Sequence, residues 1–546
     1  MASEGRPNIL FVFPEDWGRF ASAYAPHDGA RSLNALLRTP HFDRIAAEGV
    51  LFLNARTPAP GCNPCRSSLF SGRCFWQTGL GAIEQGTAWD TSIPTWPLEL
   101  EKSGYFLGYT YEGDYGKTNA RVGGDRTAYN AAGKCFGDFS RWVTREAPRL
   151  GGVAAAREAL LDEVRANFRA FLDAEARAPR QPFCYLWGPT TTHRGAGWQR
   201  CSGLDLWGID PEHLKGRLPA FLPDVPEVRE DVANYLGQVC AMDLGLGVLL
   251  TELEARGELD SNLIVVTGDH GMPGMPRAKA NLYDFGSQVA LSVRWPCNIP
   301  GGRVVDDFVN IMDLAPTLCQ AGSNDIPKGM VARSLMPILT STSAGQVEAA
   351  RDYAVGGLER HVCISRADFS GYPMRSIRTR DFLYIVNFAP ERWPTGDPHG
   401  LENLSADVGD IEDLARETMV VFPDFDASPT KAWLIKHRGD AGVAPMFQIA
   451  FGRRPAEELY DMSKDPDCMR NLAGEDAYAS KQASLRRRLM EVLAAQGDPR
   501  VIEEPCRFES GQYVAVLDKY TSEKGKAFMQ GLQQRRSSWQ TASSKV

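Results

Sequence analysis

Short apolar runs alternate with helix-like segments along the first half of the chain, and this alternation restricts the fold more than any other feature. The run from Asn8 to Phe13 is apolar after its first residue, which is typical of a strand buried on both faces of a parallel sheet. Similar runs occur at 50–55, 106–111, 183–188 and 263–267. We therefore predict an α/β fold with a large, mostly parallel central sheet and helices on both of its faces.

Chemically active side chains follow the ends of four of these predicted strands. They share this position in the sequence and are Glu15, Asp16, Cys62, His193, Asp269 and His270. In open α/β sheets, sites gather just beyond the carboxyl ends of the strands. We therefore expect these six residues to form one site.

Three carboxylates and one imidazole in this set suit a divalent cation. Glu15 and Asp16 repel each other unless water solvates them or a cation is shared between them, and a solvated loop pair is the alternative interpretation. Asp269 and His270 bring the candidate ligands to four, most of them oxygen donors. With Cys62 between the two pairs, the sequence favours a metal site.

Composition excludes several classes of function. The formal net charge of -8 argues against a general nucleic-acid binder. The 12 cysteines have neither zinc-site spacing nor the density of a disulfide scaffold. We see no signal segment and no apolar run long enough to cross a membrane, so we expect no membrane partner and a cytoplasmic location, or a periplasmic one if a leader has been removed.

The C-terminal third differs from the rest in pattern. A hairpin at 374–388, a short strand at 458–461 and an amphipathic helix at 481–496 indicate a smaller α+β subdomain with an antiparallel sheet. The predicted units are a catalytic domain (1–355), this subdomain (356–500) and a C-terminal extension (501–546). The extension either wraps a second subunit of a homo-oligomer or is a plain tail.

The segment after the 50–55 strand resembles the signature of type I sulfatases. It contains Cys62-x-Pro64-x-Arg66, followed by Ser71-Gly72. In that family, a formylglycine-generating enzyme oxidises the cysteine to formylglycine, and the fold is alkaline phosphatase-like. The resemblance implies that Cys62 becomes the nucleophile and that Arg66 orients it.

Four further blocks, in the right order, resemble the heparan N-sulfatase (sulfamidase) branch and similar bacterial sulfatases. They lie at 221–229, 277–283, 371–377 and 458–461. The resemblance extends from residue 6 to about residue 500. It implies a small sulfated sugar or aryl compound as the substrate.

The resemblance also implies a calcium site, with Asp16 and Asp269 as its safest ligands. Glu15 stands where an aspartate is usual, and Cys65 replaces a serine of the signature. His270 is a softer donor than an amide oxygen, which leaves Mn²⁺ as an alternative to Ca²⁺.

The resemblance also implies roles for positively charged side chains and for a histidine that acts as a general acid. His193 would protonate the leaving group, and Lys279 would hold a sulfate oxygen, with Arg277 as its reserve. The usual Gly-Lys-x-His after the 106–111 strand is not evident. An ungapped comparison places Glu112 at the lysine position, whereas a short insertion selects Lys117, which we prefer.

Arg360 and His361, which precede the 371–377 block, would help to wall the substrate pocket. The predicted function is hydrolysis of a sulfate ester or sulfamate through formylglycine. One alternative is a phosphonate monoester or phosphodiester hydrolase on the same scaffold. Another is a non-catalytic anion-binding protein in which Cys62 stays a thiol.

Overall fold

A seven-stranded sheet forms the centre of the computed structural model, which describes residues 6–84, 89–111, 127–194, 203–404, 408, 411–514 and 518–542. Its strands are β1 (Asn8–Val12), β2 (Val50–Arg56), β3 (Phe106–Tyr111), β4 (Phe183–Gly188), β5 (Asn262–Thr267), β6 (Leu291–Arg294) and β7 (Arg303–Asn310). Their order is β3-β4-β1-β5-β6-β2-β7. Among these strands only β6 runs antiparallel to its neighbours, so the predicted mostly parallel sheet is confirmed.

Helices cover both faces of this sheet, and other helices pack in the C-terminal part of the chain. They are α1 (Ala25–Asp28), α2 (Pro40–Glu48), α3 (Cys62–Ser71), α4 (Trp96–Lys102), α5 (Phe139–Leu150), α6 (Val153–Leu172), α7 (Gly203–Trp207), α8 (Pro226–Ala255), α9 (Asp284–Ser287), α10 (Leu314–Ala321), α11 (Met336–Thr340), α12 (Ile411–Arg416), α13 (Pro429–Lys436), α14 (Ala444–Phe451), α15 (Ala479–Ala495), α16 (Pro499–Ile502), α17 (Asp518–Thr521) and α18 (Glu523–Ala542).

Strand β1 shows why the apolar runs predict a sheet that is covered on both sides. Leu10 and Val12 belong to the apolar core that contains α6 and α8. Ile9 and Phe11 belong to a second core, which contains α3, α4 and α10. Successive side chains of a strand point to opposite faces, so an all-apolar strand requires both faces to be buried.

Helix α8 is the long central helix of the first core. By length and composition it could cross a membrane, so the expectation that no run is long enough was wrong. In this structure, 89% of its most apolar 18-residue window is buried inside the protein. Its apolar character is accounted for by burial against the sheet and the neighbouring helices.

A second sheet confirms the predicted antiparallel hairpin. Its strands are β8 (Tyr353–Leu358), β9 (Met374–Thr379), β10 (Phe382–Asn387) and β11 (Glu457–Asp461), in the order β11-β10-β9-β8. Its core includes Phe75 and Trp76, which follow α3. The second sheet therefore packs against the segment that carries the cysteine motif, while the limits of the three predicted units stay a prediction.

The C-terminal extension is partly helical and packs on its own chain. Leu532 of α18 is fully buried in a cluster with Val420 and Phe422. Arg536 donates a hydrogen bond from Nε to the carbonyl oxygen of Val420, at 3.0 Å. The extension thus supports the segment around 420.

Candidate active site

The ends of β1, β4 and β5 are joined by hydrogen bonds around Asp16. The backbone of Asp16 has a positive φ of 57°, which is uncommon outside glycine. Its amide donates to Oδ1 of Asp269 (2.7 Å), and its carbonyl oxygen accepts from the Tyr235 hydroxyl (2.9 Å). Thr192, after β4, donates its hydroxyl to the carbonyl oxygen of Glu15 (2.5 Å). These bonds fix the backbone of Glu15 and Asp16 at the sheet edge.

Four of the predicted residues form one buried cluster. The candidate ligand atoms of Asp16, Cys62, Asp269 and His270 all lie within 4.8 Å of one another. Nε2 of His270 lies 3.3 Å from Sγ of Cys62 and 3.3 Å from Oδ1 of Asp16. Four of the six predicted residues therefore meet at one edge of the sheet, while their roles stay predictions.

Two buried carboxylate oxygens test whether this cluster fits a cation. Oδ1 of Asp269 accepts hydrogen bonds from two backbone amides, those of Asp16 (2.7 Å) and His270 (2.9 Å). Within the described residues, Oδ2 of Asp269 and Oε1 of Glu15 are buried and have no hydrogen-bond partner. Burying a carboxylate oxygen without a hydrogen bond is costly. A divalent cation is a partner that would satisfy oxygen atoms of this kind.

Lys279 and Arg66 supply positive charge beside the cluster. Nζ of Lys279 lies 3.0 Å from Oδ1 of Asp16 and 3.6 Å from Oδ2 of Asp426. Burial opposes the lysine charge, but Asp16 and Asp426 raise the pKa of Lys279 well above its ordinary value. The guanidinium of Arg66 lies 3.6 Å from Asp269 and over the ring of Phe13.

His193 is more exposed than the four residues of the buried cluster. Its side chain is 39% exposed, and Nε2 lies 3.9 Å from Oε1 of Glu15. Partial burial lowers the pKa of His193, but Glu15 and Asp16 act in the opposite direction and raise it overall. The imidazole can therefore carry a proton where solvent and substrate can reach it.

Helix α3 places Cys62 at its first residue. The backbone amide of Asn63 donates to Oε2 of Glu84 (2.8 Å), so a carboxylate satisfies one of the free amides of this helix end. Cys65, which departs from the sulfatase signature, donates from Sγ to the carbonyl oxygen of Asp269 (3.1 Å). Burial raises the pKa of Cys65, so it stays a thiol that ties α3 to the loop carrying Asp269.

Two other predicted residues, Arg277 and Arg360, make contacts with groups outside the cluster. The guanidinium of Arg277 stacks on the rings of Tyr283 and Tyr460, with its carbon 4.2 Å and 5.5 Å from their centroids. Arg360 donates to the backbone carbonyl oxygens of Cys363 and Tyr513. Their roles in binding substrate stay predictions.

Of the two remaining predicted residues, the structure describes His361 but not Lys117. The imidazole of His361 is buried, and its Nδ1 lies 3.7 Å from Oδ1 of Asp424. Lys117 and the alternative Glu112 lie outside the described residues.

Three residues at the site were missed by the sequence analysis: Glu84, Tyr235 and Asp426. Each reaches the site from a segment remote in sequence, and none stands in a motif that signals chemistry. Asp426 lies in the acidic stretch that begins at Pro423, which gave a weak signal at most.

The fold and the site together define an alkaline phosphatase-like hydrolase. The model of the Sulfatase family matches residues 7–323, and the chain belongs to that family.

Relatives agree with this assignment. The human N-sulphoglucosamine sulphohydrolase is 27% identical over 510 residues, which cover 90% of this chain and 91% of the relative. An ulvan-active sulfatase of Formosa agariphila is 25% identical over 528 residues, covering 91% of this chain and 76% of the relative. The chain is therefore a hydrolase of sulfuric esters or sulfamates.

One solved structure is similar over almost the whole chain. It is a protein in complex with its substrate D-glucosamine-2-N,6-O-disulfate, with a TM-score of 0.58 and 19% identity. The match covers 91% of this chain and 100% of the other. At this identity the likeness concerns the fold alone.

Proposed function

We propose that the chain hydrolyses a sulfate ester or sulfamate of a small sugar through formylglycine made from Cys62. The observation that carries the proposal is the position of Cys62. It begins α3, and its Sγ lies 3.3 Å from His270 and 3.8 Å from Asp16, inside the candidate cation cluster.

An unmodified thiol is a poor nucleophile at this place. Burial raises the pKa of Cys62 well above its ordinary value, and although Lys279 lowers it, Asp16 and Glu15 raise it further. The thiolate is the nucleophilic form of cysteine, so the neutral thiol would react slowly. Formylglycine made from Cys62 would supply, as its hydrate, a hydroxyl nucleophile in place of the thiol, and loss of a proton from its second hydroxyl would let the aldehyde re-form as sulfate leaves.

The candidate ligands for a divalent cation are Asp16, Asp269 and His270, with Glu15 beside them. A bound cation would neutralise these carboxylates and polarise a sulfate oxygen. Calcium suits the oxygen donors, and Mn²⁺ is the alternative because His270 offers a nitrogen.

The remaining groups act on sulfate and on the leaving group. Lys279 is held as a cation 3.0 Å from Asp16 and would pair with a sulfate oxygen. Arg66 would orient the nucleophile. Protonated His193 would donate its proton to the departing oxygen or nitrogen as the bond to sulfur breaks. Lys117 stays the proposed second sulfate-binding lysine.

The names of two relatives favour a sugar substrate. The human relative is named for N-sulphoglucosamine, and the relative from Formosa agariphila is named for activity on ulvan. A glucosamine bearing an N-sulfate or an O-sulfate is therefore the substrate class to test first. Maturation would require a formylglycine-generating enzyme as a partner.

Mass spectrometry of the peptide 57–73 tests the modification directly. After co-expression with a formylglycine-generating enzyme, we expect an aldehyde in place of the Cys62 thiol. Turnover of glucosamine N-sulfate, glucosamine 6-sulfate and an aryl phosphonate monoester then assigns the reaction. Full turnover by Cys62→Ser would refute the mechanism, and faster cleavage of the phosphonate would favour the phosphoryl alternative.

A further inference from the structure

Asp426 is the one partly exposed residue in a buried segment. The structure describes all residues from 420 to 428, and all of them except Asp426 are buried. The side chain of Asp426 is 21% exposed, and its Oδ2 lies 3.6 Å from Nζ of Lys279. A carboxylate therefore stands next to the lysine that would hold sulfate.

Hydrogen bonds hold this segment in place from within its own subdomain. Asp424 accepts from the backbone amide of Val362 (2.6 Å) and from the hydroxyl of Ser365 (2.5 Å). Nζ of Lys431, which is fully buried, donates to the carbonyl oxygens of Phe425 (2.7 Å) and Phe422 (3.2 Å). These contacts fix the backbone that precedes Asp426 and tie it to Lys431, which follows.

Two further contacts join the segment to the catalytic sheet edge. The hydroxyl of Ser428 donates to the carbonyl oxygen of Gly274, in the loop after His270 (2.7 Å). Thr430 donates its hydroxyl to Oδ2 of Asp231 (2.7 Å), while Oδ1 of Asp231 accepts from Arg194 (2.9 Å). Arg194 follows His193 directly, so Asp426 is positioned relative to the predicted acid.

Exposure indicates which charged groups a substrate meets first. Of the described ionisable side chains that act on Lys279 or Asp426, those of Asp16, Arg194 and His361 are less than a tenth exposed. His193 and Asp426 are 39% and 21% exposed. A molecule that brings its sulfate to Lys279 therefore presents its adjoining atoms to these two groups.

Asp426 is negatively charged in this setting. Burial alone would raise its pKa, but Lys279, His361 and His193 hold the pKa of Asp426 well below its ordinary value. A carboxylate accepts hydrogen bonds and donates none, and it repels a second anion.

We propose that Asp426 is a specificity-determining residue, whose carboxylate accepts a hydrogen bond from a hydroxyl or amino group next to the scissile sulfate and excludes an anion there. The proposal rests on the proposed function in placing the substrate sulfate at Lys279. It assigns the substrate class more narrowly, as sulfated compounds whose adjoining position carries a donor and not a carboxylate or a second sulfate.

Three aryl esters that differ at one position test this assignment. They are phenyl sulfate, 2-hydroxyphenyl sulfate and 2-carboxyphenyl sulfate. Dissociation constants are measured calorimetrically with full-length Cys62→Ala protein, so that binding is read without turnover. We expect the hydroxyl compound to bind most tightly and the carboxylate compound at least about 10-fold more weakly than phenyl sulfate.

Asp426→Asn, introduced into the same protein, should remove most of the 10-fold penalty on the carboxylate compound. Asp426→Ser gives the same expectation and serves as a second charge-free variant. Asp426→Glu should retain the penalty. Asp440→Asn is the matched control, because Asp440 lies in the same subdomain with its side chain 64% exposed, and it should leave all three constants unchanged.

The outcomes separate specificity from simple support of Lys279. Equal weakening of all three ligands by Asp426→Asn would mean that Asp426 only positions the lysine, and would overturn the proposal. The proposal would also be overturned if Asp426→Asn left the ratios of the three dissociation constants unchanged, or if binding were too weak to rank the three compounds. Failure of the proposed function shows up separately, as an unmodified Cys62 in protein that turns over sulfate esters.

Discussion

Replacing Lys279 by methionine should have different consequences with and without a bound cation. Methionine keeps much of the length and apolar character of the side chain but removes its charge. In the variant, Asp16 loses a partner at 3.0 Å and Asp426 loses one at 3.6 Å. Without a cation, the buried carboxylate of Asp16 then keeps only weaker compensation from the histidines.

The magnitude follows from these distances. At an effective dielectric constant of about 20, a unit charge pair at 3.0 Å attracts by about 5 kcal/mol. The desolvation of Lys279 offsets part of this, and removal of one partner from a buried ion pair typically costs about 3–5 kcal/mol. We expect this loss in the free energy of unfolding when a chelator is present, and a clearly smaller loss with saturating Mn²⁺ or Ca²⁺, because the cation then compensates Asp16.

Urea denaturation in EDTA and in excess metal measures the loss of unfolding free energy without and with a bound cation. Turnover of a sulfate ester measures the catalytic effect, for which we expect a loss of about 100- to 1000-fold in rate. Lys436→Met, at an exposed position of α13, is the control and should change stability by less than about 0.5 kcal/mol. The electrostatic account of the site would be wrong if Lys279→Met were as stable as this control in EDTA. It would also be wrong if added metal did not reduce the difference in unfolding free energy between Lys279→Met and the wild type.

Two further predictions concern pH. The rate of hydrolysis of a sulfated sugar should fall as pH rises through the raised pKa of His193, since the imidazole loses the proton it donates. His193→Gln should lower kcat by about 100-fold and abolish this decrease at high pH. A pH–rate profile like that of the wild type in the variant would contradict the role assigned to His193. Asp243 is a buried residue of α8, and burial raises its pKa to about 7, against an ordinary value near 3.8. Between these values the native state binds more protons than the unfolded state, so wild-type stability falls as pH rises. Asp243→Asn does not titrate, so its stability relative to wild type should increase by about 3 kcal/mol between pH 4 and pH 7, as measured by urea denaturation. A difference that is the same at both pH values would refute the raised pKa of Asp243.

The sequence alone determined the central sheet and the convergence of its strand ends. Continuous apolar runs such as the one from Asn8 to Phe13 can be buried only between two layers, and parallel strands bring their carboxyl ends to one edge. Asp16, Cys62, Asp269 and His270 meet for that reason. Their separation in sequence did not matter, because each immediately follows its strand.

Only the tertiary structure decided which other side chains face this edge. Asp426 reaches Lys279 from a segment more than a hundred residues away, and Glu84 reaches the start of α3 through a loop. Arg277 stands two residues from Lys279, yet it stacks on tyrosine rings. Apolar periodicity reports burial but not the direction of a side chain in a loop, which is set by the backbone angles and by contacts between distant segments.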